Sequence, residues 1–408
     1  MFLLGLAPLA AQQSTRAAQI DAQREEKSRK LEPEEVGKWE ARLRDIKDKK
    51  ILERFSAGVY GFRARLGGAA TRQGFGVGPE YVRRDLFDGA AAFLANWQFT
   101  TRGGSRGEVA FELPRRPRKW FWARAGAYRH DYNRIDFYGQ GPDSEKTGRS
   151  NYRYEDVALD GLFGVRAGRF EFGPSAGALW VNVGPGTDPR IISADAQYDA
   201  GRVPGLDRQT RFARYGGFAG LEWLDSRVGP RSGGRYGAEY SYYDDLDLNR
   251  HNFHLLHAEL EQYLPFYNKR RVVALGARTD LTWVSRGQEV PFYLEPVIGG
   301  SEDLRGYRPY RFYGNNSMVL NAEYRWEVFA GMDAAIFADA GKVFQDKGQL
   351  NFQDLESDVG FGLRFNVRNA PFLRIDVGFS HEGFQVWVKF NDVFVKKPLG
   401  RSSPKHIF

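Results

Sequence analysis

From Phe55 onward, apolar and polar side chains alternate with a period of two, and this restricts the possible folds more than any other feature. In "MVLNAEYRWEV", Met318, Leu320, Ala322, Tyr324, Trp326 and Val328 fall on one face of an extended strand, opposite Asn321, Glu323, Arg325 and Glu327. "FLRIDVGFS" parts Leu373, Ile375, Val377 and Phe379 from Arg374, Asp376 and Ser380. "FQVWVKFND" parts Phe384, Val386, Val388 and Phe390 from Gln385, Lys389 and Asn391. About sixteen such segments follow one another, with no helical pattern between them, which argues against a parallel α/β fold.

Alternation alone also suits a soluble sandwich, so the connections decide. Long ones, 131–152, 184–210 and 285–316, follow odd-numbered segments; tight ones, 166–169, 267–269, 329–331 and 368–371, follow even-numbered ones. Short turns at one rim and long loops at the other mark an up-and-down outer-membrane barrel. The expected fold is all-β: a 16-stranded antiparallel transmembrane β-barrel with a short N-terminal helical segment. In hydrocarbon every backbone N–H and C=O must pair, so the sheet closes on itself.

Composition agrees once that geometry is allowed. A mean hydropathy of −0.53 would exclude helical membrane spans, but a barrel turns half of each strand into a wet lumen. Aromatics make up 15% and glycines number 47, which fits girdles and tight turns. No cysteine is present, which removes disulfide and thiolate chemistry and suits an oxidising compartment. The net charge of +8 would fit nucleic acid if clustered. It is instead spread around a cylinder and through turns such as "PRRPRK" (114–119), so no nucleic-acid partner is expected.

The two ends differ from the barrel. Residues 1–11, "MFLLGLAPLAA", read as a signal peptide whose short core and missing basic start suit a truncated beginning; a frayed apolar terminus is the alternative. Residues 12–54 form a charged segment in which Val36, Trp39, Leu43 and Ile46 recur at helical spacing after Pro33. That helix either stays solvated, docks at or inside the barrel mouth, or binds a periplasmic partner. The barrel is expected over 55–394, and 395–408 form a basic tail.

Within 285–316, "GGSEDLRGYRPY" is too polar for a core and too aromatic for a casual loop. Glycines at 287, 299, 300, 306 and 314 allow a loop folded back into a lumen. Arg305 would then be a buried cation needing carboxylates, and Glu323 and Asp339 are lumen-facing on the next two strands. A guanidinium fork engages two carboxylates where a lysine acts as a point charge.

"LRGY" at 304–307 resembles the VRGF/VRGY motif of the BamA/TamA family of outer-membrane barrels (bacterial surface antigen family). Glu323, Asp339 and "DAG" at 339–341 resemble its partner motifs, and "FYGQGPDS" (137–144) and "DSR…PRSGG" (225–234) are similar to other family stretches. The resemblance implies sixteen strands, with Leu304, Arg305, Gly306 and Tyr307 tucked inside and held by Glu323 and Asp339. It also implies an outer-membrane location in a Gram-negative-type bacterium, contact with outer-membrane lipid, and clients that are outer-membrane proteins or translocated polypeptides. Insertion would proceed at a weak seam between the first and last strands. Here that seam would join Gly58, Tyr60 and Phe62 to Phe384, Val386, Val388, Phe390 and Phe394. The chain departs from the pattern in lacking room for a POTRA domain in 12–54 and in continuing past Phe394.

Other readings stay open beside insertion: a gated or plugged pore, or a structural surface barrel that binds a periplasmic partner. His251, His254 and His257 tempt a metal reading, but on a strand His254 points away from the other two. Ser380 and His381 are adjacent and face opposite ways, so no hydrolytic triad is drawn. No enzyme activity, cofactor or metal is expected.

Overall fold

The computed structural model of the protein describes residues 60–67, 71–113, 120–227, 229–329, 331–367, 370–390 and 399–407. The signal peptide, the 12–54 helix, the "PRRPRK" turn, Gly58 and Phe394 lie outside them.

The described chain forms a 16-stranded antiparallel barrel. In chain order its strands are β1 (Phe62–Gly67), β2 (Gly76–Asp85), β3 (Ala91–Thr100), β4 (Ser105–Leu113), β5 (Phe121–Phe137) and β6 (Ser150–Ala167). They continue as β7 (Phe170–Pro185), β8 (Arg211–Glu222), β9 (Gly233–Asp245), β10 (Phe253–Phe266) and β11 (Arg271–Val284). The last are β12 (Asn316–Phe329), β13 (Met332–Phe344), β14 (Glu356–Val367), β15 (Ala370–Ser380) and β16 (Gly383–Lys389). Each strand is laddered to the next in sequence, so the topology is a plain meander without crossovers. The count expected from the sequence holds, and the long connections named there fall at one rim and the tight ones at the other. The rule is not strict: β3–β4 (101–104) and β15–β16 (381–382) are tight, and β8–β9 (223–232) is long. Turns such as 168–169 close one rim, where Gly168 takes a left-handed φ of 62° that a two-residue hairpin accepts.

The outward face is apolar. Phe163, Phe172, Ile336, Val359, Phe361 and Val386 are all exposed, a continuous band that only lipid covers favourably. The inward face carries charge instead, including the buried Arg214, Glu239, Arg364 and Asp376. Among the described residues no helix is long and apolar enough to cross a membrane.

The two rims are finished differently. At the long-loop rim, β5 and β6 extend into an aromatic cap that includes Tyr132, Phe137, Tyr152, Phe292 and Tyr313, all essentially buried. The ring of Phe292 lies 5.1 Å from Phe137 and 5.0 Å from Tyr152, so the 285–315 loop is an integral part of that cap. At the short-turn rim, the β8–β9 connection reaches across: Arg231 donates to Asp333 at 2.6 and 2.8 Å and to the Lys269 carbonyl at 2.8 Å.

The outward band makes a direct prediction. Ile336→Arg puts a charge in hydrocarbon and lowers stability by on the order of 2–4 kcal/mol near the bilayer midplane. Urea titration of the barrel folded into lipid vesicles measures the loss, and an unchanged midpoint would mean the face is not lipid-covered.

Candidate functional site

The 285–315 loop enters the lumen as a small hairpin. Val297–Ile298 ladder with Phe312–Tyr313, and the segment between them turns back on itself. Gly299 and Gly300 take φ of 109° and 117°, conformations that only glycine adopts without strain. Leu304, fully buried, packs with Ile298, Tyr307, Phe312, Val319 and Val343.

Arg305, at the tip, is 0% exposed. Its Nε and Nη2 donate to the two oxygens of Asp339 on β13 at 2.7 and 2.8 Å, a bidentate fork, while Nη1 donates to Glu323 on β12 at 2.5 Å. Below the guanidinium lies the Phe337 ring, 3.5 Å from Cζ to centroid, a cation–π contact. The register explains why the acids converge. Asn321 pairs with Asp339 across β12 and β13, and Glu323 is two residues further along the same inward face.

The acids have further partners. Glu323 accepts from Arg325 Nε at 2.7 Å and from Arg364 Nη2 at 2.8 Å, so three guanidiniums meet one carboxylate. Asp339 accepts from Asn321 at 2.8 Å in addition to Arg305. Glu323 therefore keeps two cations if the Arg305 side chain is lost, whereas Asp339 keeps neutral donors, the Asn321 amide and the residue-305 backbone N–H at 3.3 Å.

The backbone of the motif is held by the last two strands. Trp387 Nε1 on β16 donates to the Arg305 carbonyl at 2.7 Å, and Ser380 Oγ on β15 donates to the Gly306 carbonyl at 3.0 Å. A Cβ on Gly378 would stand 2.6 Å from the Arg305 carbonyl, so β15 is bare where the loop crosses it. Gly306 is equally tight, its Cβ position lying 2.6 Å from Asp358 Cβ. Tyr307 donates to Glu356 at 2.6 Å and lies 3.1 Å from His381 Nδ1.

Outer contacts steady the hairpin. Arg311 donates to Glu382 at 2.8 Å, in the β15–β16 turn, and to Ser144 Oγ at 2.9 Å, inside "FYGQGPDS". From the same stretch, Gln140 Nε2 donates to Glu295 Oε1 at 2.5 Å. Glu295 is buried at the base of the loop, and its Oε2 finds no hydrogen-bond donor among the described residues. Burial pushes its carboxyl from an ordinary 4.5 up to about 8, with the Gln140 amide pulling slightly the other way.

The structure thus brings Arg305, Glu323 and Asp339 into one cluster with Leu304, Gly306 and Tyr307 packed around it. The residues singled out for a seam are separate. Phe62, Phe384, Val386, Val388 and Phe390 point outward into the lipid band, and Tyr60 is exposed just ahead of β1. Sequence reasoning missed Trp387, Phe337, Arg364 and Gly378. Trp387 carried a usable signal, an indole at a polar phase of the "FQVWVKFND" alternation. His254 stands 2.7 Å from the Tyr240 hydroxyl and His257 2.7 Å from Asp280, in separate side-chain contacts.

Residues 219–385, which contain Arg305, Glu323, Asp339 and Arg364 but not Trp387, match the family model described as the Omp85 superfamily domain. Among solved structures, the chain resembles BamA from Haemophilus ducreyi lacking POTRA domains 1-3, with a TM-score of 0.57 and 14% identity over 80% of this chain and 69% of that one. It also resembles CdiB from Escherichia coli, with a TM-score of 0.54 and 10% identity over 81% of this chain and 62% of that one. At such identities the likeness is one of fold. A search among curated proteins finds no match. The resemblance to the BamA/TamA barrels read from "LRGY" holds.

Two predictions follow from this geometry. Arg305→Ala leaves Asp339 buried with neutral donors, the Asn321 amide and the residue-305 backbone N–H, in place of a cation, and costs about 3–5 kcal/mol. Adding Asp339→Asn recovers part of that cost, and urea unfolding of the vesicle-embedded barrel reads both. The second concerns pH. Because Glu295 is protonated when folded and ionises near 4.5 when unfolded, the folded state binds the extra proton between those values. Stability therefore falls as pH rises from about 5 to about 8 and levels off above. Glu295→Gln removes this slope, so thermal unfolding of the variant exceeds wild type at pH 8 and the difference shrinks toward pH 4.

Proposed function

With an Omp85 superfamily domain at residues 219–385 as premise, we propose that this barrel resides in the outer membrane of a Gram-negative-type bacterium and assists insertion or translocation of polypeptides there. The supporting observation is the state of the sheet edges. β1 is laddered to β2 and β16 to β15, and among the described residues no ladder joins β1 to β16.

A strand edge in or near hydrocarbon is attractive to another extended chain. A client strand adds to such an edge by backbone hydrogen bonding, which is insensitive to its side chains. The lumenal cluster supports the same reading. Arg305 is locked to β12 and β13 while its carbonyl holds Trp387 on β16, so the loop braces one side of the seam from within. The role of Arg305, Glu323 and Asp339 is then to keep β13–β16 in place when the β1 edge lets go. No bond is made or broken, and the work is done by templating and strain.

The reading predicts that the barrel in proteoliposomes accelerates folding of an unfolded client barrel. Tethering the seam through Ala64→Cys and Val386→Cys with a bismaleimide abolishes that acceleration while leaving heat-modifiable mobility intact. A tethered barrel as active as the untethered one would remove the seam from the mechanism.

A further inference from the structure

Residues 399–407 lie inside the barrel, and the insertion mechanism makes no use of them. β16 ends at the short-turn rim, and Leu399 stands there beside Arg169, Phe218 and Glu222. From that rim the tail climbs the inner wall. Gly400 N donates to Glu239 Oε1 at 3.1 Å. Arg401 Nη2 donates to Glu108 Oε1 at 3.1 Å, and its guanidinium covers the Tyr128 ring at 3.7 Å.

The next residues are held as closely. Ser402 donates from both its amide (3.1 Å) and its hydroxyl (2.5 Å) to Asp160 Oδ1, and its carbonyl accepts from Tyr243 at 3.1 Å. Lys405 Nζ donates to Glu239 Oε2 at 3.0 Å. At the top, His406 meets Tyr310 and Tyr313 edge-on, and Ile407 is fully buried in the aromatic cap. The cavity left beside the tail, against Glu239, His257 and Asp280, is about 60 Å³, room for a water or two and no second chain.

The chemistry of this wall is specific. Glu108, Asp160 and Glu239 come from β4, β6 and β9, and each is matched to a cation or a small hydrogen-bond donor of the tail. The tail forms no β-ladder with the wall among the described residues, so side-chain charge and hydrogen bonding hold it. Such pairs can be exchanged for equivalent ones, unlike a ladder. Burial shields the formed pairs from salt, but a free peptide approaching the wall is steered by charge that salt screens. Because the tail is covalently attached, its effective concentration at the wall is high, and a competing chain must present the same chemistry to displace it.

We propose that this carboxylate-lined wall is a binding track for an extended cationic peptide, and that residues 399–407 are its resident, displaceable occupant. The partner it fits is a polypeptide segment with Arg or Lys several residues apart and small residues between them, entering from the short-turn rim. The proposal reaches beyond the seam, because it places a polypeptide within the lumen, and it does not require the seam to open.

Planar-bilayer conductance tests it with three proteins: wild type, a chain lacking residues 399–408, and the full-length double variant Arg401→Glu/Lys405→Glu. Heat-modifiable mobility establishes folding first. Both altered proteins should conduct several-fold more than wild type. The synthetic peptide GRSSPKHIF, residues 400–408, should close the shortened barrel again at low salt and lose its effect at high salt. The same peptide with both basic residues replaced by glutamate should not close it. Equal conductance in all three folded proteins would overturn the proposal, as would a block indifferent to the peptide's charges. Failure of both altered proteins to fold would make the tail a structural strut and overturn it equally.

Discussion

A peptide group placed in hydrocarbon must find its hydrogen-bond partner within the protein, and the rest of this structure depends on that requirement. It forces each strand to ladder with the next, from β1 through β16, and it turns one face of every strand outward to lipid. The same pleat drives the other face inward. Since lipid takes the apolar residues, the polar ones are concentrated in a lumen where they must satisfy one another.

The lumen is consequently a problem in charge compensation. Buried ion pairs are weak contributors to net stability, because desolvation offsets most of their attraction. Their value lies in position, and here buried Asp339 meets the Arg305 guanidinium through a bidentate fork. Glu323, met by three guanidiniums, ties the loop to β12 and β14 as well. The motif thus sets where the 285–315 loop sits, while the aromatic cap supplies apolar burial at the rim. The tail obeys the same rule on the opposite wall, where Glu108, Asp160 and Glu239 meet its charges and hydroxyl.

Much of the fold was legible in single segments. "NAEYRW" places Glu323 inward because a strand offers only two faces, and the lipid face was already claimed by Ala322, Tyr324 and Trp326. Trp387 shows where that reasoning weakens. Alternation assigns it a face but cannot say that its indole N–H reaches the Arg305 carbonyl from β16. Gly378 is similar, since its bareness has meaning only once the loop is known to cross β15 there. Arg364 carries no local signal either, since its guanidinium reaches Glu323 from β14 across the intervening β13.

By itself, the order of residues determined the number of strands, which rim carries the long loops, which side chains face lipid, and that Arg305 needs acids on the next two strands. Those properties are local, set by a two-residue period and by turn length. Only the tertiary structure decided that the loop is braced from β15 and β16, that Glu323 serves three cations, and that the basic tail lies against the carboxylates of β4, β6 and β9. Such contacts join residues up to 293 positions apart, as between Arg401 and Glu108, and no local periodicity encodes them. They exist because a closed polar interior leaves each buried charge few places to find its counterpart.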